Sequence, residues 1–469
     1  MIRKLGGTSF IIAAGKSRIQ AVILLGKRLI SIILFLVFLI LGLGTLFYSQ
    51  GWRINFKTLV LTKVGAIYVR SYPSSASIEL DGRPIPNDSW LFDRGTLINN
   101  LYPKTYQLRL TRPGYQTWLQ TVSVQPMLVA EAKSAVLVPT IDGTDRIDNG
   151  PTTSLLLAQS RIATRDRSGS ARLGNQLVPG DQITDINPEG DQLLIRSSRP
   201  AQVVLQDLVA GTSTDLTALL RRNRVPPDNF QFRLTNSRTA VLGWDRERIM
   251  MIIPGSTSPI FNLAPATLRR ATTTTEIVAA AAAPAARVAW ATYDKRANRS
   301  VVTIYDIDTS TSRDQKLQLA GQTAKLTWAN GNRLGILQTD GDFFWWDIRQ
   351  NIHRQVASDG RDIFFSPDGR SVAVLEHNSL EVFTGDDPPY DYFRFNLPDI
   401  QKITRLTWYQ DQQHLYATYP DRTVWLDLLD ASLEHFLTVT TSSIAYYETA
   451  SNRLYYLADN QVRYLQFPK

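Results

Sequence analysis

Residues suited to chemistry are sparse in this chain and do not gather. The four histidines are His353, His377, His414 and His435, and there is no cysteine. No two histidines stand at the spacing that puts a pair of ligands on one helix face. The sequence around them has the character of strands, so they read as surface or turn residues. Without cysteine there are no disulfides, no thiolate catalysis and no thiolate-ligated metals. No Gly-x-Ser-x-Gly elbow appears, and no glycine-rich phosphate loop follows a strand; Gly42-Leu43-Gly44 lies inside an apolar run. Asp340-Gly341-Asp342 offers two carboxylates but lacks the further acids of a calcium loop, and reads as a hairpin turn. The sequence therefore predicts no catalytic residue, no metal and no cofactor.

Two sets of residues do recur. Asp207, Asp306, Asp347 and Asp427 each close an apolar-Asp-apolar strand end: LQDL, IYDI, WWDI and WLDL. One carboxylate per repeat at one position predicts a turn or an inter-strand hydrogen bond rather than an acid cluster. Trp290, Trp328 and Trp408 recur in a second position. Packing between repeats is the first reading of these rings; a stacking platform for sugar or peptide is the second, and makes them the candidate binding aromatics.

The recurrence sets the architecture. RVAWATYD, KLTWANGN, DIFFSPDG, RLTWYQDQ and SIAYYETA each lead into a polar turn, with Trp290, Trp328, Ser366, Trp408 and Tyr446 at intervals of 38, 38, 42 and 38. ITDINPEG and FRLTNSRT extend the series upstream to Asn187 and Thr235. A period near forty filled with short strands predicts a β-propeller of about seven blades over residues 153–469. Thr153 to Ala158 is expected to pair into the last blade and close the ring, with 153–165 as part of an eighth blade the alternative. Two stretches break the rhythm and read as loops: Ala264 to Arg287, with its Thr and Ala runs, and Asp386 to Asp391. The turns, Ser366-Pro367-Asp368-Gly369 above all, resemble those of Tol-type and WD-repeat-like propellers, a resemblance that implies a fold and not a substrate.

Residues 64–139 have a different, period-two pattern: Ile67 and Val69, then Ala76, Ile78 and Leu80 before Asp81-Gly82, then Tyr106, Leu108 and Leu110, a Pro113-Gly114 turn, and Val122 and Val124. GAIYVRSYPSSASIELDGRPI and LYPKTYQLRLTRPGYQTWLQTVSV resemble the PEGA domain. Pro73, Ala76, Asp81, Gly82, Pro103, Tyr106, Gly114, Tyr115 and Trp118 fall at its matching places, while Lys104 stands where that family has Gly. The resemblance implies an extracytoplasmic β-sandwich near a membrane anchor, without catalytic residues. Tyr106, Tyr115 and Trp118 are expected in its core. PTIDGTDRIDNGP, within residues 140–152 and their neighbours, reads as a linker.

Residues 29–48 carry no charge, and fifteen of the twenty are Leu, Ile, Phe or Val. At about −0.3 to −0.6 kcal/mol each, these favour membrane insertion by roughly 4 to 9 kcal/mol. A helix of that length spans roughly 30 Å, so the segment is expected to cross a lipid bilayer. Lys27 and Arg28 abut it and favour a cytoplasmic tail over residues 1–28, with the remainder outside. A cleaved signal peptide is the competing reading, set aside because the apolar run and the segment before it are long.

The net charge of +9 does not argue for nucleic acid. Ten of the 51 basic residues precede Glu79 and no acid does, so the remaining 41 bases face 42 acids. The excess flanks the membrane segment, where anionic lipid attracts it, and leaves none to hold a polyphosphate. The sequence predicts an anchored, non-catalytic envelope protein whose propeller binds a protein, peptide or glycan. A propeller lyase or hydrolase of the envelope is the alternative. A sensor is a third, weaker reading, because residues 1–28 contain no output domain.

Overall fold

A computed structural model describes residues 9–55, 60–87, 95–141, 145–147, 152–158, 161–166, 170–173, 176–178, 180–187, 190–198, 200–235, 240–263, 275–283, 287–307, 315–385, 391–428, 436–449 and 451–468, with side chains of the first helix from Leu29 onward. The chain is nearly all β and divides into two compact units.

The first unit opens with a helix, Ser9–Ser49. Its segment Leu29–Ser49 has a mean hydropathy of 2.9 and no buried side chains, and it is long and apolar enough to cross a membrane. Two sheets follow. Gly65–Tyr72 is flanked by Thr96–Leu101, antiparallel, and by Val129–Val136, parallel. Ser77–Leu80 lies between Arg83–Ile85 and Thr105–Thr111, and the latter pairs with Trp118–Ser123. Alternate residues Ile67, Val69, Ile78, Leu80, Leu108 and Leu110 are buried, as the period-two pattern requires of a sandwich with one face of each sheet inward. Asp81 and Gly82 take φ of 49° and 75°, the left-handed pair a two-residue hairpin needs. Tyr106 and Trp118 are core residues, and Tyr115 is half-buried.

The second unit is a β-propeller. Its described residues form eight four-stranded antiparallel sheets, one more than the seven turn anchors indicate. Their first strands are Thr152–Ala158, Gln182–Ile186, Gln231–Leu234, Thr275–Ala282, Thr323–Asn330, Gly360–Phe365, Arg405–Trp408 and Ala445–Glu448. From the second sheet on, neighbouring sheets adjoin through these strands; the first sheet meets the second through Arg161–Asp166 and the last through Thr152–Ala158, which makes a ring. Apolar residues of facing blades fill the gaps; Ala373, Leu415, Ala417 and Val424 in one such cluster are fully buried.

Closure differs from the expectation. Thr152–Ala158 pairs with Arg161–Asp166 in its own blade. The strand added to the last blade is Asp145–Ile147, antiparallel to Gln461–Gln466, from the stretch that reads as a linker. The Ala279–Ala283 run is likewise no loop. Thr275–Ala282 is a first strand that pairs with Arg287–Asp294 over its whole length, because cross-strand bonding overrides the low strand propensity of alanine. Residues 264–274, 284–286 and 386–390 of the two expected loops lie outside the described residues, and Asp391 begins a strand.

The Ser366 turn shows how a blade is tied. Ser366 Oγ donates to Asp368 Oδ1 at 2.6 Å and accepts the Ser371 N–H at 2.9 Å. Gly369 has φ 69°, and a Cβ there would meet Asn330 Nδ2 at 2.8 Å and the Ala329 carbonyl oxygen at 2.9 Å. Asn187 repeats the device, its Oδ1 accepting the N–H groups of Asp191 and Gln192 at 3.0 and 2.8 Å.

Candidate binding site

The first strands line the centre of the ring, so their side chains decide what it can hold. Five of them slip register near the start, at Thr153, Thr184, Val278, Ala324 and Arg361. A bulge adds a local twist and re-aims the side chain that follows. Those side chains are Ser154, Asp185, Ala279, Lys325 and Asp362.

A cavity of about 550 Å³ lies among the first strands of the second to fifth blades. On one side, Asp185 Oδ2 accepts the Leu234 N–H at 2.9 Å, and the Arg233 guanidinium stands 3.8 Å from Oδ1. Burial raises the pKa of this carboxyl, and the Leu234 bond and Arg233 offset only part of that. On the other side, Lys325 Nζ is ion-paired with Asp362 Oδ1, and its ammonium sits 5.5 Å from the centre of the Phe364 ring. Between the two charged pairs the wall is the small-residue strand Ala279–Ala283. The cavity thus has opposite charges at two edges and a smooth wall between them.

A second space of about 900 Å³ shares Gln231, Trp244 and Val278 with the first. Its rim carries Asp228, Glu247 and Glu276 beside Arg246 and Arg248. Asp245 Oδ1 accepts the N–H groups of Glu247 and Arg248 at 2.8 and 2.6 Å, which fixes the turn that presents both arginines. Glu276 is paired with Lys295 at 3.1 Å. Among the described residues no group of three or more His, Asp or Glu is arranged to hold a metal ion.

The tryptophans singled out by spacing are elsewhere. Trp290, Trp328 and Trp408 are 2%, 8% and 4% exposed, packed among apolar residues between blades. Their ring faces are covered, so they do not form a stacking platform. Trp328 and Trp408 close first strands, and each indole N–H reaches back to the preceding blade, to the carbonyls of Ala281 at 3.3 Å and Phe364 at 3.0 Å. Trp290 lies on a second strand, out of phase with them, because the alanine-rich strand before it occupies the position its spacing suggested.

The recurring aspartates are cross-strand partners. Asp207, Asp306, Asp347 and Asp427 face Gln192, Arg287, Arg333 and His414 at the start of the second strand. Gln192 Nε2 donates to Asp207 at 3.1 Å, and Arg287 Nε to Asp306 at 3.1 Å. Asp207 Oδ1 also holds its turn by accepting the Val209 and Ala210 N–H groups at 3.0 and 2.8 Å. These carboxylates secure hairpins one blade at a time and do not converge.

His353 and His377 are exposed, and His435 lies outside the described residues. His414 is the exception to the surface reading, being fully buried. Its ring stacks on Trp425 with centres 4.5 Å apart, and its Nδ1 lies 2.7 Å from Asp411 Oδ2. The channel residues Asp185, Arg233, Lys325 and Asp362 escape sequence reading because each comes from a different blade. The available signal is a charge two or three places into a first strand.

Residues 64–133 match the PEGA domain. No curated protein is significantly similar to the chain. Solved structures with a similar arrangement include the oligogalacturonate lyase of Vibrio parahaemolyticus, at 10% identity and a TM-score of 0.43, over 68% of this chain and 99% of that one. Hsv2 of Kluyveromyces lactis aligns at 12% identity and 0.35, over 86% and 97%. The Cps50 (Swd1) β-propeller domain of Myceliophteria thermophila aligns at 13% identity and 0.39, over 69% and 99%. At these scores the likeness bears on neither substrate nor mechanism.

Proposed function

We propose that the chain is a membrane-anchored, extracytoplasmic binding protein whose propeller takes an extended peptide segment of an envelope partner at the channel mouth. The observation that carries this reading is the pair of adjoining spaces of about 550 and 900 Å³, the smaller with Asp185–Arg233 at one edge, Lys325, ion-paired behind it to Asp362, at the other, and an alanine wall between. Opposite charges at fixed positions suit a chain carrying both signs, and small side chains let a backbone approach closely. A glycan is the weaker choice, since the buried tryptophans present no ring face to a sugar. The helix at 29–48 keeps the propeller near one surface and raises its effective concentration for neighbours there. In this reading residues 1–28 are cytoplasmic and the rest lies outside.

The test is cross-linking on intact cells followed by capture of the chain, with Lys325→Glu alongside. One dominant envelope partner, lost with Lys325→Glu, supports the proposal. The enzymatic alternative, an envelope glycan lyase or hydrolase, rests on the raised pKa of Asp185 as a candidate acid. Turnover of an envelope polysaccharide that Asp185→Asn abolishes would replace the binding reading. Protease added to unbroken cells checks orientation, because loss of everything beyond Tyr48 is expected.

A further inference from the structure

The apolar helix runs directly into a small, firmly attached ribbon. Gly51 has φ 77°, and its N–H bonds to the Tyr48 carbonyl at 3.2 Å, which ends the helix. Trp52–Asn55 and Val60–Lys63 then pair antiparallel, with Trp52 opposite Lys63 and Ile54 opposite Leu61. By the two-residue period of a strand, these four side chains share one face. Phe47 of the last helical turn meets Trp52 edge-on, ring centres 6.4 Å apart. Lys63 Nζ lies 5.2 Å from the centre of the Trp52 ring and 3.0 Å from Met127 Sδ, and Leu128 and Val129 follow. One stripe therefore passes from the helix, across the ribbon, to the loop at Met127.

The stripe is apolar and open. Ile54, Leu61, Met127, Leu128 and Val129 are 50%, 44%, 61%, 56% and 51% exposed. From the ribbon's other face, Arg53 donates to the Tyr48 carbonyl at 2.8 Å and to Asn100 Oδ1 at 2.9 Å, and its guanidinium covers the Tyr48 ring at 3.7 Å. The ribbon is thereby held against the helix end. Large exposed apolar side chains beside Trp, Tyr, Lys and Arg form the side-chain set that settles at a bilayer interface, with rings and aliphatic stems in the acyl boundary and charges at the phosphates.

We propose that Trp52, Ile54, Leu61, Lys63, Met127 and Val129 form a membrane-docking surface on the leaflet from which the helix emerges. The occupant is phospholipid. The stripe is continuous with the apolar helix and its charges are basic; no acidic residue precedes Glu79, and Glu131, beyond Val129, is ion-paired with Lys133 at 2.6 Å. Docking seats the PEGA-like unit on the bilayer, where a lone helix would leave it to swivel. The inference rests on the anchor reading of the helix.

The absence of cysteine makes the test clean. Leu39→Cys, Ile54→Cys, Met127→Cys and Val209→Cys are made singly in the full chain and labelled with an environment-sensitive fluorophore. Each is reconstituted in phosphatidylcholine–phosphatidylglycerol vesicles with a quencher high on the acyl chain for 54, 127 and 209, and near the end of the acyl chain for 39 and 209. Labels at 39, 54 and 127 are expected to be quenched about twofold or more relative to the label at 209, which replaces a side chain 74% exposed on the propeller. Quenching at 39 with none at 54 and 127 overturns the docking surface and leaves the anchor standing. No quenching at 39 overturns both.

Discussion

His414 faces Asp427 across two paired strands, its Nε2 3.6 Å from Asp427 Oδ2, while Nδ1 holds Asp411 Oδ2 at 2.7 Å. Burial opposes the imidazolium, but the bond to Asp411 and the charge of Asp427 outweigh it and bring the pKa to about 9. The unfolded value is about 6.5, so the folded state favours the charged ring. The resulting stabilisation is fully present below pH about 6.5 and is lost as pH rises through about 9, on the order of 3 kcal/mol in all. Thermal melts across that window should show the melting temperature of the native chain falling. In His414→Phe the propeller should start less stable, because the attraction between the imidazolium and the carboxylates of Asp411 and Asp427 is gone, and the decline should flatten.

Gly369→Ala tests the turn at Ser366. The left-handed φ and the close Asn330 and Ala329 atoms both oppose a Cβ. A loss of about 1 to 3 kcal/mol is expected from a urea midpoint shift at unchanged slope. An unshifted midpoint would show that the neighbouring blade gives way freely.

Ala324→Trp separates binding from folding. Ala324 is exposed at a bulge and lines the smaller cavity, so an indole fills space without displacing core. The melting temperature should stay within a few degrees, as for other surface changes. Capture of the envelope partner should disappear. A variant that retains its partner would move the site away from the channel.

Trp408→Phe removes the indole bond to the part-buried Phe364 carbonyl. A cost of about 0.5 to 1.5 kcal/mol in stability is expected by chemical denaturation. Any change in tryptophan emission on adding envelope oligosaccharides should be the same in the native chain and in Trp408→Phe, because Trp408 is covered. A saturable change lost in the variant would revive a sugar-binding role for that ring.

Much of the fold was legible because its signals are local. An uncharged run of twenty residues, a Pro-x-x-Ala and Asp-Gly pattern, and a forty-residue period each lie within a short window. What escaped depends on distant partners. Asp145–Ile147 is three residues in a turn-rich stretch, and only Gln461–Gln466 makes it a strand. Thr275–Ala282 looks like low complexity until Arg287–Asp294 pairs with it, and that error also displaced Trp290 from its true position. His414 carries no mark of burial in its own neighbourhood. Asp185 and Lys325 lie 140 residues apart and meet one cavity only through the ring.

Asp145–Ile147 clasping Gln461–Gln466 also fixes an order of events. The strand made first must wait, unpaired, until its partner, more than 300 residues later, has been synthesised. Until then the last blade lacks its outer edge, and two open sheet ends face any protease or sticky neighbour nearby. Once latched, a pull on the chain just upstream of Asp145 would work on this three-residue clasp before it reached any other blade.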